Sequence, residues 1–280
     1  MNNISYNEIM IALCLSMLIY NYGENKYFII EDGQTLGDFY KYVDFHFDIY
    51  QRESLSFLYN TCPDGQIVKF INDASTDIQC AILKSNNKKK IYIVFRGTDS
   101  IIDCMHDSMC CQTFLDLDDE SINVGIHCGF YKQFEYIYDK IIDIINDFIN
   151  DDYDIYLTGH SLAHSLSVIL SYYLSDLTQK KIRIITFGGP KIGNYDWSKI
   201  YEEKNNLLLY RFTNESDIVP ALPFLNYYHV GLNIHLTSEN IELNAYNKLS
   251  FNIKDHSIVN YYNNLFGKEH IFNNLFLSLL

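Results

Sequence analysis

The stretch Tyr153 to Ser165, YDIYLTGHSLAHS, carries an apolar strand pattern into Gly159-His160-Ser161-Leu162-Ala163, and a helical pattern begins directly after it. A serine hydroxyl is a weak nucleophile. Chemistry at such a residue needs the oxygen exposed on a tight turn, a base to take its proton and an oxyanion donor, for which the backbone N–H of the following residue, Leu162, is placed. Small residues two positions to either side let strand and helix approach closely. Gly159 meets that need, whereas Ala163 stands where the pattern G-x-S-x-G has its second glycine, so one methyl must be accommodated. On these residues alone Ser161 is either a nucleophile on an elbow or the N-cap of a helix after a glycine-containing turn.

Nine histidines compete for the role of base: His46, His106, His127, His160, His164, His229, His235, His256 and His270. Enzymes that place a serine on a strand-to-helix elbow order their groups Ser, then Asp or Glu, then His, which sets aside the first three. His160 and His164 are tied to the elbow and read as packing or surface residues. His229 sits in Tyr227-Tyr228-His229-Val230-Gly231, an aromatic setting that suits a buried structural histidine. A base should instead come from a loop beyond a later strand. His256, in Asp255-His256-Ser257, has that position if Ser250 to Ile253 ends a strand; its other reading is a histidine at a helix N-terminus. For the acid, Arg211 to Pro223 reads RFTNESDIVPALP, a strand end followed by Asp217. Such an Asp can fix the tautomer of a histidine, or simply form the turn before a proline loop. Asp196 and Glu215 are the nearest substitutes.

These groups need a scaffold. Ile91 to Phe95 is a continuous apolar, β-branched run, as in a strand buried on both faces. From Gly129 to Ile149 apolar residues recur at three- and four-residue steps, which predicts a long amphipathic helix. Strands at Tyr153–Leu157, Ile182–Phe187 and Leu207–Phe212 alternate with helices at Leu162–Leu174 and Trp197–Glu203. The alternation predicts an α/β fold, a mostly parallel central sheet flanked by helices, with its site outside the carboxyl ends of the strands. No linker, repeat or charge block divides residues 1–280, so a single domain is expected.

With 48% hydrophobic and 15% aromatic residues the chain has ample material for a core. The 35 acidic against 21 basic side chains give a formal charge of -14, which argues against nucleic acid as a partner and mildly against anionic lipid surfaces. The apolar run Ile9 to Tyr20 is shorter than the about 20 residues a membrane span needs, and no basic residue precedes it as in a signal peptide. The seven cysteines lack C-x-x-C spacing and favour neither a disulfide framework nor a metal site. No cofactor or metal is expected. A glycan on the sequon Asn214-Glu215-Ser216 would crowd Asp217. A cytoplasmic or otherwise intracellular location is therefore expected, with secretion and oligomeric state left open.

Five blocks resemble the class 3 lipases, in the order that family shows: IVFRGT at Ile93 to Thr98, GIHCGF at Gly125 to Phe130, GHSLAHS, FGGPKIGN at Phe187 to Asn194, and RFTNESDIVPALP. NYYHVG at Asn226 and DHS at Asp255 extend the likeness. The resemblance implies an α/β-hydrolase fold with Ser161 as nucleophile, Asp217 as acid and His256 as base, and with Thr98 and the Leu162 amide as the oxyanion hole. It also implies a lid at Asp99 to Phe114, where apolar Ile101, Ile102, Met105 and Met109 could touch a lipid interface transiently; the family's Asp-Trp pair is Asp103-Cys104 here. His164 takes the place of a residue usually small in the family. The implied activity is a carboxylic ester hydrolase, of triacylglycerol lipase or phospholipase A1 type, acting on a lipid or small ester. The same groups could pass an acyl chain to an alcohol as an acyltransferase, and a relative that had lost catalysis would be a ligand-binding or interaction module.

Overall fold

The computed structural model describes residues 4–21, 30–41, 47–73, 76–97, 111–117, 122–245 and 251–277. The N-terminal apolar run forms helix α1, Tyr6–Leu18, opened by a capping box in which Ser5 and Glu8 satisfy each other's backbone amides. Ile9, Met10, Leu13 and Cys14 have no exposed surface. A helix apolar on all sides belongs inside a protein, and α1 lies under α2 (Leu36–Tyr40), α3 (Ile49–Thr61) and one face of the sheet. Among the described residues no helix is long and apolar enough to cross a membrane.

The sheet begins with an antiparallel meander, β1 (Gln66–Asp73), β2 (Ile78–Ser85) and β3 (Lys90–Phe95). Short strands β4 (Gln112–Phe114) and β5 (Gly125–His127) pair separately and lead into α4, Cys128–Asn150. Then β6 (Asp154–His160), α5 (Ala163–Leu177), β7 (Ile182–Phe187), α6 (Tyr195–Glu202) and β8 (Leu207–Asn214) alternate. After β8 come β9 (Leu232–Leu236), β10 (Ile241–Leu243), α7 (Ile258–Leu265) and α8 (Glu269–Leu277). The strand order is β1-β2-β3-β6-β7-β8-β9-β10, and β3, β6, β7, β8 and β9 run parallel.

Alternate residues of one strand serve opposite layers, as the pleat requires. Tyr92 and Val94 of β3 join a core with α1, α3, α7 and α8, whereas Ile91, Ile93 and Phe95 join one with α4, α5 and α6. Helices thus cover both faces. The mostly parallel sheet predicted from sequence is present, with β1, β2, β9 and β10 added to the strands expected. The strand expected at Ser250 to Ile253 is not formed: Phe251 and Asn252 have no regular structure, Ile253–His256 is a 3-10 turn capped by the Asn252 side chain, and Ser250 lies outside the described residues.

At the amino ends of the strands, Glu8 ties α1 to the sheet by accepting from the Tyr156 hydroxyl, Lys90 Nζ at 2.9 Å and the Ser5 amide at 2.9 Å. Burial alone would raise the pKa of this carboxyl; Tyr156, Ser5 and Lys90 outweigh it and hold the value at about 2 against an ordinary 4.5. Because the folded-state value is depressed, the stabilisation is complete above pH 4.5 and disappears as pH falls toward 2. The full depression corresponds to ~3 kcal/mol, and partial solvent screening reduces it to about 1–2 kcal/mol. Glu8→Gln is therefore expected to lose about 1–2 kcal/mol in urea unfolding at pH 7, with the gap to the parent closing in acid. A variant as stable as the parent at pH 7 contradicts this account.

Candidate active site

Ser161 lies between β6 and α5 with φ +65°, in the left-handed region that non-glycine residues rarely occupy. Such a backbone costs on the order of 1–3 kcal/mol and persists only where its surroundings impose it. Here the Ser161 amide donates to the Phe187 carbonyl at 2.9 Å, and the Ser161 carbonyl accepts from the His164 amide at 3.0 Å. The helix-cap reading of Ser161 fails: no side chain caps α5, and the Ser161 hydroxyl is engaged elsewhere. Ala163 is accommodated because a Cβ on Gly159 would collide with the Ala163 methyl, so the space the absent glycine would leave is supplied by Gly159.

His256 meets both partners from its 3-10 turn. Its Nε2 stands 2.7 Å from Ser161 Oγ and its Nδ1 2.8 Å from Asp217 Oδ2. A carboxylate can only accept, so Nδ1–H donates to Asp217, leaving the Nε2 lone pair to accept from the serine hydroxyl. The Asp217 side chain is 1% exposed. Its Oδ2 also accepts from the Tyr261 hydroxyl at 2.6 Å, and its Oδ1 from the Val219 amide at 2.9 Å. Gly188, at φ +60°, lies against this pair: a Cβ there would sit 2.9 Å from Tyr261 Oη and 3.0 Å from Asp217 Oδ2.

The turn bearing His256 is fastened to the loop after β8. Asn214 Nδ2 donates to the Asp255 carbonyl at 3.0 Å, the Ser216 amide to Asp255 Oδ2 at 3.1 Å, and the Asn252 amide to the Ser216 carbonyl at 2.7 Å. Asn214 is 1% exposed, so a glycan on it is incompatible with this fold. Asp196 accepts from the Asn123 amide and Glu215 from the Ser238 amide; Asp217 is the carboxylate that His256 meets.

The other described histidines lie away from Ser161 or have other partners. His229 Nε2 donates to the Pro220 carbonyl at 2.7 Å, His235 Nδ1 pairs with Thr213 Oγ1 at 3.0 Å, and His127 stacks on Phe130. Exposed His270 lies on α8, and His46 and His106 are outside the described residues. His164 is buried, with Nδ1 2.8 Å from Thr186 Oγ1, and burial pushes its pKa down to about 3. Its ring occupies the space beside Gly189, where any Cβ would strike it, which is how the chain accepts a histidine at that position. His160 and His164 are both interior residues, so the surface reading of them does not hold.

Of the expected oxyanion residues, Leu162 is the N-cap of α5, with φ -54° and ψ -33°, at a helix start where amides have no intrahelical acceptor. Thr98 lies outside the described residues, as does the expected lid from Asp99 to Cys110; its last residues, Gln112–Phe114, are strand β4. Sequence reasoning gave no role to Tyr261 as a partner of Asp217 or to Asn214 as a clamp. The only signal for Tyr261 is its place in the first turns of the helix after His256.

A cavity of about 660 Å³ opens beside Asp217, lined among others by Lys191, Tyr228 and His229. Neither Ser161 nor His256 is among the residues that line it. Phe224, Leu225, Phe251 and Ile253 leave an exposed apolar collar on the loops that carry Asp217 and His256, with Phe224 and Phe251 in edge contact.

The model of the class 3 lipase family matches residues 92–227. A lipase of Rhizopus niveus is 28% identical over 167 residues, covering 58% of this chain and 42% of the relative. This chain thus matches less than half the length of that relative. Lipase II from Rhizopus niveus superposes with a TM-score of 0.62 at 22% identity, covering 71% of this chain and 82% of that one. A triacylglycerol lipase whose catalytic centre is described as a serine protease triad superposes with a TM-score of 0.67 at 19% identity, covering 89% and 92%. The two superpositions establish the α/β-hydrolase fold.

Proposed function

Since this chain belongs to the class 3 lipase family, we propose that it is a serine ester hydrolase, cleaving carboxylic esters of lipid or other apolar acyl groups through an acyl-enzyme on Ser161. The observation that carries this reading is the bonded line from Ser161 Oγ through His256 to Asp217, at 2.7 and 2.8 Å, on a nucleophile held at φ +65°. The Ser161 proton passes to His256 Nε2 as Oγ attacks the ester carbonyl carbon. The developing oxyanion is received by the Leu162 amide, with Thr98 as the second donor that the family resemblance implies. Asp217, held by Tyr261 and the Val219 amide, keeps the imidazole in one tautomer and balances its charge. His256 then protonates the departing alkoxide, and water repeats the sequence in reverse order to release the acid. The apolar collar around the acid and base loops suits an acyl chain better than a polar ester.

A pH-stat assay on p-nitrophenyl butyrate, tributyrin and phosphatidylcholine vesicles tests this reading. Acid release from at least one of them is expected, one equivalent per ester bond cleaved, and added alcohol should divert only part of the acyl groups into new ester. A folded protein that releases no acid from any of the three overturns it; diversion of nearly all acyl groups to the alcohol points to a transferase.

A further inference from the structure

His160 is a fully interior imidazole that the reaction above does not use, yet it lies next to the nucleophile in sequence and against the base in space. Its ring centroid is 4.6 Å from that of His256, with the planes 32° apart, and the Tyr261 ring stands edge-on to it at 5.8 Å. His160 Nε2 is 2.7 Å from the His256 backbone carbonyl, and Nδ1 is 2.8 Å from Tyr20 Oη. These partners leave one arrangement of protons for a neutral ring. A carbonyl cannot donate, so Nε2 carries the hydrogen; Nδ1 is then a lone pair, and the Tyr20 hydroxyl donates to it. Burial, with the nearby His256 second, holds the pKa of His160 well below its usual range and keeps that ring neutral. The room for Tyr20 is built in: a Cβ on Gly97 would collide with the Tyr20 hydroxyl and lie 2.5 Å from the His160 carbonyl oxygen.

We propose that His160, held in one tautomer by Tyr20, is a positioning residue for the base: a neutral strut that runs from the nucleophile elbow to the His256 backbone and sets the height at which Nε2 meets Ser161. The inference rests on His256 being the base. Residues 253–256 form a 3-10 turn rather than part of a long helix or strand, and the carbonyl bond to His160 ties its main chain to the Ser161 side. A neutral ring beside His256 is also compatible with the imidazolium that forms during acyl transfer, whereas a cation at that distance would oppose it. Through Tyr20, which follows α1, the N-terminal segment becomes part of the machinery that aims the base.

The test combines kinetics with a readout that needs no turnover. In histidine ¹⁵N NMR of the whole protein, His160 is expected as a single neutral Nε2–H tautomer; an Nδ1–H tautomer or a charged ring at neutral pH overturns the proposal even if no substrate is ever found. In ester hydrolysis, His160→Leu is expected to lower kcat by about 30- to 100-fold, the scale of loss for a reacting group displaced by about 1 Å, with KM within about twofold. His160→Gln, which restores a donor to the His256 carbonyl, should recover most of the loss. Tyr20→Phe should lower kcat by about 3- to 10-fold and add nothing in the His160→Leu background, because the two act through one connection. If His160→Leu does not fold, Tyr20→Phe and His160→Gln decide. Tyr20→Phe at the parental kcat, or losses that add fully, overturns the strut. Ser161→Ala separates the two levels: if it stays active the hydrolase reading fails, and if it is inert while His160→Leu is fully active only the positioning role fails.

Discussion

Ser161→Ala is expected to abolish ester hydrolysis, with a loss in kcat on the order of 10⁶, while the melting temperature stays within a few degrees of the parent. The size of the effect follows from what the hydroxyl does. Its Oγ is bonded to His256 Nε2 at 2.7 Å, the placement the proposed covalent intermediate needs, and a methyl can neither attack nor share that proton. The fold should not suffer. Alanine keeps the Cβ and the amide that donates to Phe187, and the left-handed backbone is held by the main-chain bonds of residue 161 to Phe187 and His164, not by the hydroxyl. Turnover within tenfold of the parent, measured on the same ester and with the variant shown to be folded, would sink the assignment of the nucleophile.

His256→Ala is expected to cost as much as Ser161→Ala, and the double variant no more than either single one, since a nucleophile without its base and a base without its nucleophile are equally idle. The structure sharpens the choice among histidines. His229 donates to Pro220, and His235 pairs with Thr213 inside β9. Neither is bonded to Ser161, so their replacement should leave the nucleophile reactive, although His229→Ala removes a buried imidazole and is expected to lower stability. His270→Ala, on the exposed face of α8, should be silent. Near-parental turnover in His256→Ala, together with its loss in a stably folded His229→Ala or His235→Ala, contradicts the assignment of the base.

What could be seen in the sequence depended on how local the physics was. Strands β3, β6, β7 and β8 were legible because burial on both faces writes a continuous apolar run, and α4 because a single buried stripe recurs every three or four residues. Strand β1 mixes buried and exposed positions, and β10 is three residues long; neither writes a pattern against which a loop can be rejected. The elbow at Ser161 is a local device and was visible as such. Chain order and the family resemblance point to His256, and the strand expected before it is absent, since hydrogen bonds to Ser216 and Asn214, not sheet pairing, hold that turn. His160 shows the limit most clearly. Its neighbours in sequence suggested packing or surface, whereas its partners, Tyr20 and the His256 carbonyl, are 140 and 96 positions away. Long-range polar partners leave no periodicity for sequence reasoning to find.

A Ser161 activated by His256, itself held by Asp217, should react with an electrophile that needs no particular substrate. Labelling of the purified protein with a fluorophosphonate, followed by intact mass and peptide mapping, tests this. One adduct per chain is expected, on Ser161, forming rapidly in the parent, absent in Ser161→Ala and slowed by orders of magnitude in His256→Ala. A folded parent protein that takes up no label, or takes it up on a residue other than Ser161, contradicts it.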